Sequence, residues 1–426
     1  MTQEYKSFSP EEFRLHNEKL QAEMEKQDID MLLLSTPENI YYSTGYRSWY
    51  TSSLFRPVYV LVPREGDPAI ILRILEKTTV QYTSWTSRIY CWGTASRNLG
   101  PLEGVEPVSI IARIIKEIQP DTRTIGLEAG DGMQYFWSME LLKKIIDSQP
   151  GICFTDGSLA IQRARMVKTP WEIERIRHVC RITEKAILDT GKTIVAGETT
   201  EKDISKGIAM RMAQGGVDKI SYLTVTSGID KYCTFNTYAT DRVVQKGEYV
   251  LVDISGHIDG YASDLTRVFY LGTVPREERE MAETASGCVA GAKEALKRKD
   301  ISFSPGGCGA AAKEAMKPGV SIADINRICE GYIRDSRFGK FLLHSSGHCI
   351  GLNVVEYPTI HDEAGEKLKP GMVFAVENGV YPYDLEKGVE SIYLSFRMED
   401  EVLVTENGAE WITGPGEPVI EVGADK

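Results

Sequence analysis

Short apolar runs alternate with polar stretches along the first third of the chain, a pattern that predicts an α/β domain over residues 1–160. A helix is expected at residues 9–27, because Ser9 can cap the first free amides and Pro10 suits the first helical position. The periodicity after it predicts strands at residues 31–34, 58–62 and 69–72 and a helix at residues 108–118.

A long stretch with helical periodicity then begins a second domain, which we place at residues 161–426. Apolar residues recur at steps of three and four between residues 163 and 191, which predicts one long helix there. Five β-prone runs come later, at residues 222–226, 249–254, 266–270, 372–376 and 401–405. Short turns join several of these runs, so we expect an α+β domain with mostly antiparallel strands.

A short internal repeat lies within this second domain. The segment that begins at Gly287-Cys288 recurs twenty residues later at Gly307-Cys308, and both copies continue into an Ala-Lys-Glu-Ala stretch. Two copies are too few for a solenoid, so we interpret the repeat as a duplicated helical turn or a helix extension.

Composition and charge narrow the class of protein. Of the 426 residues, 42% are hydrophobic and 26% are charged, which is ordinary for a globular chain. The net charge of -12 repels phosphate backbones, so we expect no nucleic-acid partner. A signal pattern and a long apolar stretch are both missing, which predicts a cytoplasmic protein without a membrane partner. The eight scattered cysteines form no Cys-x-x-Cys pair and are expected to be reduced.

Two aspartates mark the first candidate site. In LVDISGHIDGYASDLTRVF, Asp253 ends one apolar run and Asp264 begins the next, eleven residues later. A hairpin of this length puts both carboxylates at neighbouring strand positions, where they repel each other unless they face water or share a cation. Taken alone, the pair favours a solvated hairpin.

Three later residues change that interpretation. His348 lies in a glycine-flanked segment, Glu377 ends another apolar strand, and Glu399 stands at the head of a further one. An unpaired charge at such a buried junction costs several kcal/mol, and cations would offset that cost. Four carboxylates and one imidazole suit Mn²⁺, Co²⁺, Fe²⁺ or Zn²⁺, so the sequence predicts two divalent metal ions, with Mn²⁺ or Fe²⁺ favoured.

The order and spacing of these five residues resembles that of the superfamily of creatinase, prolidase, aminopeptidase P and methionine aminopeptidase. The motifs that carry the resemblance are VDISGHIDGYASDLTR, GHCIGL, VEN and RMEDEVLVT. Together they are highly specific, and the resemblance covers nearly the whole chain. It implies a C-terminal pita-bread catalytic domain, α+β in class, preceded by a smaller α/β domain like that of creatinase.

The resemblance also implies a role for each of the five residues. Asp253 would chelate the first metal, while Asp264 and Glu399 would bridge both metals. His348 and Glu377 would hold the second metal, and Glu377 would also move a proton to the leaving group. All five positions are filled here, whereas creatinase has lost the metal set.

The chain departs from the peptidases of this superfamily at two positions. Those enzymes carry a histidine where this chain has Asn236, and another where it has Val355, just before Glu356. Losing one donor to a substrate amide or oxyanion typically costs about 10²–10³ in rate, which argues against ordinary peptide hydrolysis. We take Asn236, Glu356, Glu377 and Arg397 as the catalytic candidates.

The N-terminal domain supplies candidate substrate contacts. Its segment NIYYSTGYRSWYTSSLFRPVYVLV resembles one in creatinase, where an arginine before a proline reaches the neighbouring subunit's active site and binds the substrate carboxylate. Arg56 occupies that position beside Phe55, and its planar fork of donors suits a carboxylate. The resemblance thus implies a homodimer that acts on a small carboxylate-bearing molecule. The alternative is that Arg56 is an ordinary surface residue.

Four further residues carry narrower expectations. His344 is expected to contact substrate or to support a ligand rather than to bind metal. Arg397 is expected to pair with a carboxylate of the site. His257, in the turn of the predicted hairpin, is expected to face solvent, and Cys349 is expected to pack rather than to act in covalent catalysis.

Three functions from different classes remain open on the sequence. The first is a dinuclear metal hydrolase that cleaves a C–N bond in a proline dipeptide or in an amidino or N-acyl amino acid. The second is a metal-dependent lyase resembling the dimethylsulfoniopropionate lyase of the same superfamily, which also lacks the peptidase histidines. The third is a non-catalytic binding protein with the same fold, and the filled ligand set argues against it.

Overall fold

The computed structural model describes residues 10–423 except 54, 94–103, 105, 134–137, 229–235, 287–311, 382–395, 415–416 and 418. The chain forms two compact units, Met1–Arg165 and Met166–Lys426. Almost all of the predicted repeat lies outside the described residues. Among the described helices, none combines the length and the apolar character needed to cross a membrane.

The first unit holds one mixed sheet and its helices. Its strands are β1 (Met31–Leu34), β2 (Tyr59–Pro63), β3 (Ala69–Arg73), β4 (Ile89–Trp92), β5 (Thr124–Leu127) and β6 (Cys153–Asp156). Its helices are α1 (Pro10–Lys26), α2 (Pro37–Thr44), α3 (Lys77–Thr83), α4 (Pro107–Ile118), α5 (Met139–Asp147) and α6 (Ser158–Met166), with 3-10 turns at Trp49–Ser52 and Ile74–Glu76. The described strands form a six-stranded sheet in the order β4-β3-β2-β1-β5-β6.

The core of this unit follows from the apolar pattern. Ile110, Ile111, Ile114 and Ile115 recur at helical spacing along α4 and pack in one buried cluster with residues of β1, β2 and β3. All four residues of β1 are buried, as expected for a central strand covered on both faces. The α/β prediction for the first domain is confirmed.

The predicted single helix at 163–191 is wrong, because the chain forms two helices there, α6 and α7 (Pro170–Gly191). Thr169 begins α7 with a capping box: its side chain accepts from the Glu172 amide while the Glu172 carboxylate accepts from the Thr169 amide. Pro170 has no amide hydrogen and holds the residue before it in extended backbone, so the helix cannot run through. The spacing of apolar residues does not reveal such a break, whereas the Thr169-Pro170 pair is a signal for the start of a new helix.

The second unit is built around a mostly antiparallel sheet. Its strands are β7 (Lys219–Ser227), β8 (Tyr249–Ile258), β9 (Tyr261–Ala262), β10 (Leu265–Leu271), β11 (Gly347–Cys349), β12 (Glu356–Ile360), β13 (Val373–Val380), β14 (Phe396–Thr405), β15 (Gly408–Trp411) and β16 (Ile420–Val422). Its other helices are α8 (Glu201–Gln214), α9 (Arg276–Ser286) and α10 (Ile322–Arg334), with a 3-10 turn at Gly339–Phe341. The main order is β12-β11-β13-β14-β10-β8-β7, with β15 on β14, β16 on β10 and β9 on β8. Among the described strands of this sheet, only the β10–β16 pair is parallel, so the α+β prediction is confirmed.

One face of this sheet packs against helices α7 and α8. Val250, Val252 and Ile254 of β8 lie in a buried cluster with residues of both helices. Because side chains alternate along a strand, Asp253 and Ser255 point to the opposite face. The helices therefore define which face of the sheet is left for polar chemistry.

His257 is buried, contrary to the expectation of a solvent-exposed turn residue. Strand β8 runs on to Ile258, and the turn falls instead at Asp259 and Gly260, which both have positive φ. The His257 Nδ1 lies 3.1 Å from the Gly260 carbonyl oxygen and therefore donates to it. Its Nε2 then accepts from the Ser221 hydroxyl at 2.7 Å.

Replacing Thr169 with Ala should destabilise the second unit, because helix α7 loses the side-chain acceptor for its Glu172 amide. We expect the free energy of unfolding to fall by about 1 kcal/mol. Urea unfolding followed by tryptophan fluorescence measures this change. Thr169→Ser keeps the hydroxyl and is the matched control. Equal losses in both variants would show that the methyl group matters rather than the cap.

Candidate metal centre

Asp253 and Asp264 are brought together by the pairing of β8 with β10. Asp253 lies within β8 opposite Thr266, and Asp264 immediately precedes β10. Both aspartates are buried, so they do not form the solvated hairpin that the pair alone favoured. Asp264 and Thr266 are two residues apart and share a face, which is also the face of Asp253.

His348 joins them from β11, where a glycine makes the close approach possible. Gly347 has φ +134°, and a Cβ there would lie 2.1 Å from the carbonyl oxygen of Ala375 on the neighbouring strand. The His348 Nδ1 lies 3.0 Å from the Cys349 carbonyl oxygen and must donate to it, which leaves Nε2 as the ring atom with an available lone pair. Nε2 lies 3.7 Å from Asp264 Oδ2.

Glu377 and Glu399 stand directly opposite each other in the pairing of β13 with β14. Glu399 also lies opposite Thr266, whose hydroxyl donates to Glu399 Oε2 at 2.9 Å. The Glu377 Oε1 is 3.9 Å from His348 Nε2. One donor atom each from Asp264, His348 and Glu399 lies within 4.8 Å of the others. The structure thus gathers all five predicted donors on one face of the sheet.

These residues do not occupy the strand ends that the apolar pattern indicated. Asp253 is followed by five more residues of β8, Glu377 by three of β13, and Glu399 lies three residues inside β14. A charged residue interrupts an apolar pattern, so each strand looked shorter in the sequence than it is.

Burial and mutual repulsion dominate the electrostatics of this cluster. Burial raises the pKa of Asp264 and of Glu399 well above the ordinary carboxylate range, and the charges of their acidic neighbours raise it further. Burial also raises the pKa of Asp253, although the Arg397 guanidinium opposes the rise. A divalent cation among these oxygens would remove the repulsion, and the carboxylate and imidazole donors suit Mn²⁺, Fe²⁺, Co²⁺ or Zn²⁺. The residues present therefore fit a metal centre.

Two side chains tie the aspartates in place. The Arg397 guanidinium donates to Asp253 Oδ2 and lies 4.0 Å from Glu377 Oε2, so it does pair with carboxylates of the cluster. The Tyr222 hydroxyl contacts Asp264 Oδ1 and lies 3.1 Å from Asp253 Oδ1. The sequence analysis did not single out Tyr222 as a site residue, because its contacts with the aspartates arise only when β7 pairs with β8.

His344 is engaged through both ring nitrogens. Its Nδ1 donates to the Ser345 carbonyl oxygen at 2.7 Å, so its Nε2 accepts from the buried Tyr381 hydroxyl, also at 2.7 Å. Tyr381 in turn hydrogen-bonds Arg397. These contacts connect His344 to the cluster through Tyr381, a residue that the sequence analysis did not single out.

The other two catalytic candidates, Asn236 and Glu356, differ in burial. Asn236 is exposed, and Val355, at the second lost histidine position, is 59% exposed. Glu356 is buried, and its Oε2 forms an ion pair with Lys168 Nζ at 3.2 Å. Cys349 is fully buried, and burial raises the pKa of its thiol to about 12, which suits packing rather than nucleophilic attack.

The two substrate-contact candidates of the N-terminal domain belong to the first unit. Phe55 is 90% exposed. The Arg56 guanidinium carbon lies 4.8 Å from the centre of the Tyr50 ring. This distance fits a cation–π contact, which does not use up the N–H groups that could bind a carboxylate.

Comparison with known families matches both parts of the chain. The sequence model of metallopeptidase family M24 matches residues 174–406. The model of the creatinase/prolidase N-terminal domain matches residues 17–167. The match to family M24 includes all five candidate metal ligands.

Individual proteins resemble the chain over nearly its full length. Uncharacterized peptidases from Staphylococcus aureus strains are 26% identical over 395 residues, which cover 93% of this chain and 97% of theirs. An X-Pro aminopeptidase structure from Thermotoga maritima has a TM-score of 0.73 at 22% identity and covers 95% of this chain and 99% of that one. A dipeptidase structure from Mycobacterium ulcerans has a TM-score of 0.77 at 22% identity, with 97% and 99% covered. These structures show the shared fold.

Replacing Glu399 with Gln should stabilise the metal-stripped protein, because a buried carboxylate with a raised pKa is removed. The ionised group is unfavourable in the folded state, so its contribution to stability is present below the unfolded pKa of about 4.3 and is lost as the pH rises through the folded pKa. The melting temperature of Glu399→Gln should therefore exceed that of wild type, and by more at pH 8 than at pH 5. Thermal unfolding at both pH values measures this.

Glu201→Gln is the matched control for that experiment. Glu201 is equally buried in the same unit, but its carboxylate accepts from the amides and hydroxyls of Ser227 and Thr240. Its replacement should lower the melting temperature, because a satisfied acceptor is lost. A metal-stripped Glu399→Gln variant that melts below wild type at pH 8 would contradict the electrostatic account.

Proposed function

The chain belongs to metallopeptidase family M24 and is a metallohydrolase, and from that premise we propose that it uses two divalent metal ions to cleave a C–N bond in a small carboxylate-bearing substrate. Proline dipeptides and amidino or N-acyl amino acids are the substrate classes that fit. One observation carries the proposal: five side chains whose oxygen and nitrogen atoms suit a divalent metal ion lie on one face of the sheet, four of them buried.

The five donors divide between two ions. We assign Asp253 to the first, His348 and Glu377 to the second, and Asp264 and Glu399 to both. Divalent ions held by these five residues, Mn²⁺ or Fe²⁺ by preference, would polarise the scissile bond and lower the pKa of a water molecule. The register of the sheet supports this division, because Asp253 and Glu377 lie at the two ends of one cross-strand row.

Glu377 is the residue that we assign to proton movement. Its side chain is 24% exposed, against 8% for His348 and 4% for Asp264, so it is the most accessible of these three. A carboxylate at the open side of the cluster can take a proton from the attacking water and deliver it to the leaving nitrogen. Arg397, which contacts Asp253 and lies near Glu377, keeps both carboxylates oriented.

Arg56 is the group that we assign to the substrate carboxylate. We place it at the active site of the neighbouring subunit in a homodimer, as the likeness of its segment to creatinase implies. The position of its guanidinium over the Tyr50 ring supports this role, because a cation–π contact restricts the side chain while its N–H groups can still bind a carboxylate.

The substrate class follows from what the site lacks. Asn236 and Val355 stand where the related peptidases carry histidines, and neither can exchange a proton near neutral pH. A small substrate with a good leaving group or a carboxylate anchor needs less help from such donors than an ordinary peptide does. The same two residues favour a second candidate, a metal-dependent lyase. In that reaction a base removes a proton beside a carboxylate, a C=C bond forms as the leaving group departs from the next carbon, and no water is consumed.

Product analysis in ¹⁸O-water distinguishes these two functions. With Mn²⁺-, Co²⁺- or Fe²⁺-loaded protein, a substrate screen should cover Xaa-Pro dipeptides, creatine-like amidines, N-acyl amino acids and betaine-like carboxylates. We expect turnover of a C–N bond with the label in the product, because hydrolysis transfers one oxygen from water. Turnover without label would establish the lyase, and turnover of Xaa-Pro dipeptides at ordinary peptidase rates would overturn the inference drawn from Asn236 and Val355.

Replacing Glu377 with Gln should lower kcat by about 10²-fold or more, the usual contribution of a positioned acid–base group. The comparison is made at saturating Mn²⁺, with bound metal measured in both proteins, so that loss of a ligand is separated from loss of proton transfer. Glu363→Gln, at an exposed position, is the control. A metal-loaded Glu377→Gln variant with wild-type kcat would remove the proton-transfer role.

A further inference from the structure

Glu401 is a buried carboxylate that none of the roles above uses. It is 0% exposed and lies on β14 two residues beyond Glu399. Its carboxylate lies next to the cluster without belonging to it, because it contacts the Asp264 amide and also Cys180 of helix α7.

The carboxylate of Glu401 is held by three partners. Its Oε1 accepts the backbone amide of Asp264 at 2.7 Å and the thiol of Cys180 at 3.2 Å. Its Oε2 lies 2.8 Å from the Thr413 hydroxyl oxygen. The shortest of these contacts is made to the main chain of a residue that we assign as a bridging metal ligand.

This contact lies where β10 and β14 cease to pair. The register pairs Thr266 with Glu399, so Asp264 comes opposite Glu401 two residues further on. At this position the backbone of Glu401 bonds to the segment that follows β15 instead of to β10. Its amide donates to the Thr413 hydroxyl at 2.9 Å, and its carbonyl oxygen accepts from the Ile412 amide at 2.8 Å. The side chain of Glu401 thus takes the Asp264 amide that a continuing strand would have bonded.

We infer that Glu401 is a positioning residue of the metal centre, whose carboxylate fixes the Asp264 main chain and thereby sets the place of the Asp264 ligand oxygens. This inference rests on the proposed metal-binding function. Hydrogen-bond partners behind a metal ligand typically change metal affinity by about 10–100-fold when they are removed. The length of the Glu401 side chain should affect metal affinity more than its negative charge does, because its contact is with a neutral amide hydrogen at the end of a strand.

Two substitutions separate reach from charge. Glu401→Asp keeps the negative charge but is one methylene shorter, so it cannot span to the Asp264 amide without a shift of the backbone. Glu401→Gln keeps the length and an acceptor oxygen, and its amide group can donate to Thr413. Positioning predicts a rise in the Kd for Mn²⁺ of about tenfold or more in Glu401→Asp and a smaller rise in Glu401→Gln. Calorimetric titration of the metal-stripped proteins with Mn²⁺ alone measures both.

A second readout tests the geometry directly. The visible absorption bands of the Co²⁺-loaded protein report the arrangement of its ligands, so Glu401→Asp should shift them while Glu401→Gln leaves them near their wild-type positions. If Glu401→Asp does not fold, Glu401→Leu fills similar space without an acceptor and should give the same loss of affinity.

Glu172→Asp is the matched control, since Glu172 is another buried carboxylate of the second unit and accepts from the Tyr261 hydroxyl at 2.8 Å. It should lower the melting temperature and leave the Kd for Mn²⁺ unchanged. A Glu401→Asp variant that behaves like this control would overturn the positioning role alone. A larger loss in Glu401→Gln than in Glu401→Asp would overturn it in favour of charge. Failure of the wild-type protein to bind Mn²⁺ would overturn both this inference and the proposed function.

Discussion

Four carboxylates lie on one face of one sheet, three of them buried, and their mutual repulsion is the constraint around which the second unit is organised. The helices α7 and α8 cover the opposite face, so these side chains cannot turn away without exposing apolar residues of β8. Burial and neighbouring charge raise the pKa of Asp264 and Glu399 well above the ordinary range. Bound cations would relieve this repulsion and stabilise the ionised carboxylates. That gain in electrostatic energy is the physical basis of the proposed metal chemistry.

The register of the strands does the positioning. Asp253, Thr266, Glu399 and Glu377 lie opposite one another across four neighbouring strands, and a slip of one residue in any pair would send a carboxylate into the helical core. Thr266 holds the one neutral position of this row, where its hydroxyl donates to Glu399. His348 reaches the same face because Gly347 lets β11 approach β13 without a Cβ clash. The donors are therefore placed by backbone pairing, with little left to flexible side chains.

The sequence predicted the strand cores and the five clustered residues, since both are local signals: apolar period in one case and motif spacing in the other. It misplaced the strand ends, because Asp253 and Glu399 interrupt the apolar pattern while the hydrogen-bonded ladder continues through them. It also missed Tyr222 and Glu401, whose contacts with Asp264 join residues 42 and 137 positions apart in the chain. Such partners are specified by tertiary pairing, which no local pattern encodes.

The five candidate metal ligands and the two substituted histidine positions lie in different kinds of local structure. This difference affects which parts of the site can change without loss of the fold. Four of the five donors lie within paired strands and Asp264 directly adjoins one, where any change of backbone disturbs a ladder. Asn236 and Val355 are exposed and lie outside the described strands, where a substitution meets little structural resistance. A chain can therefore keep the complete donor set while it changes the residues that assist a particular leaving group. The substrate should accordingly be sought through the chemistry that Asn236 and Val355 permit, since the five ligand residues by themselves favour only a divalent metal centre.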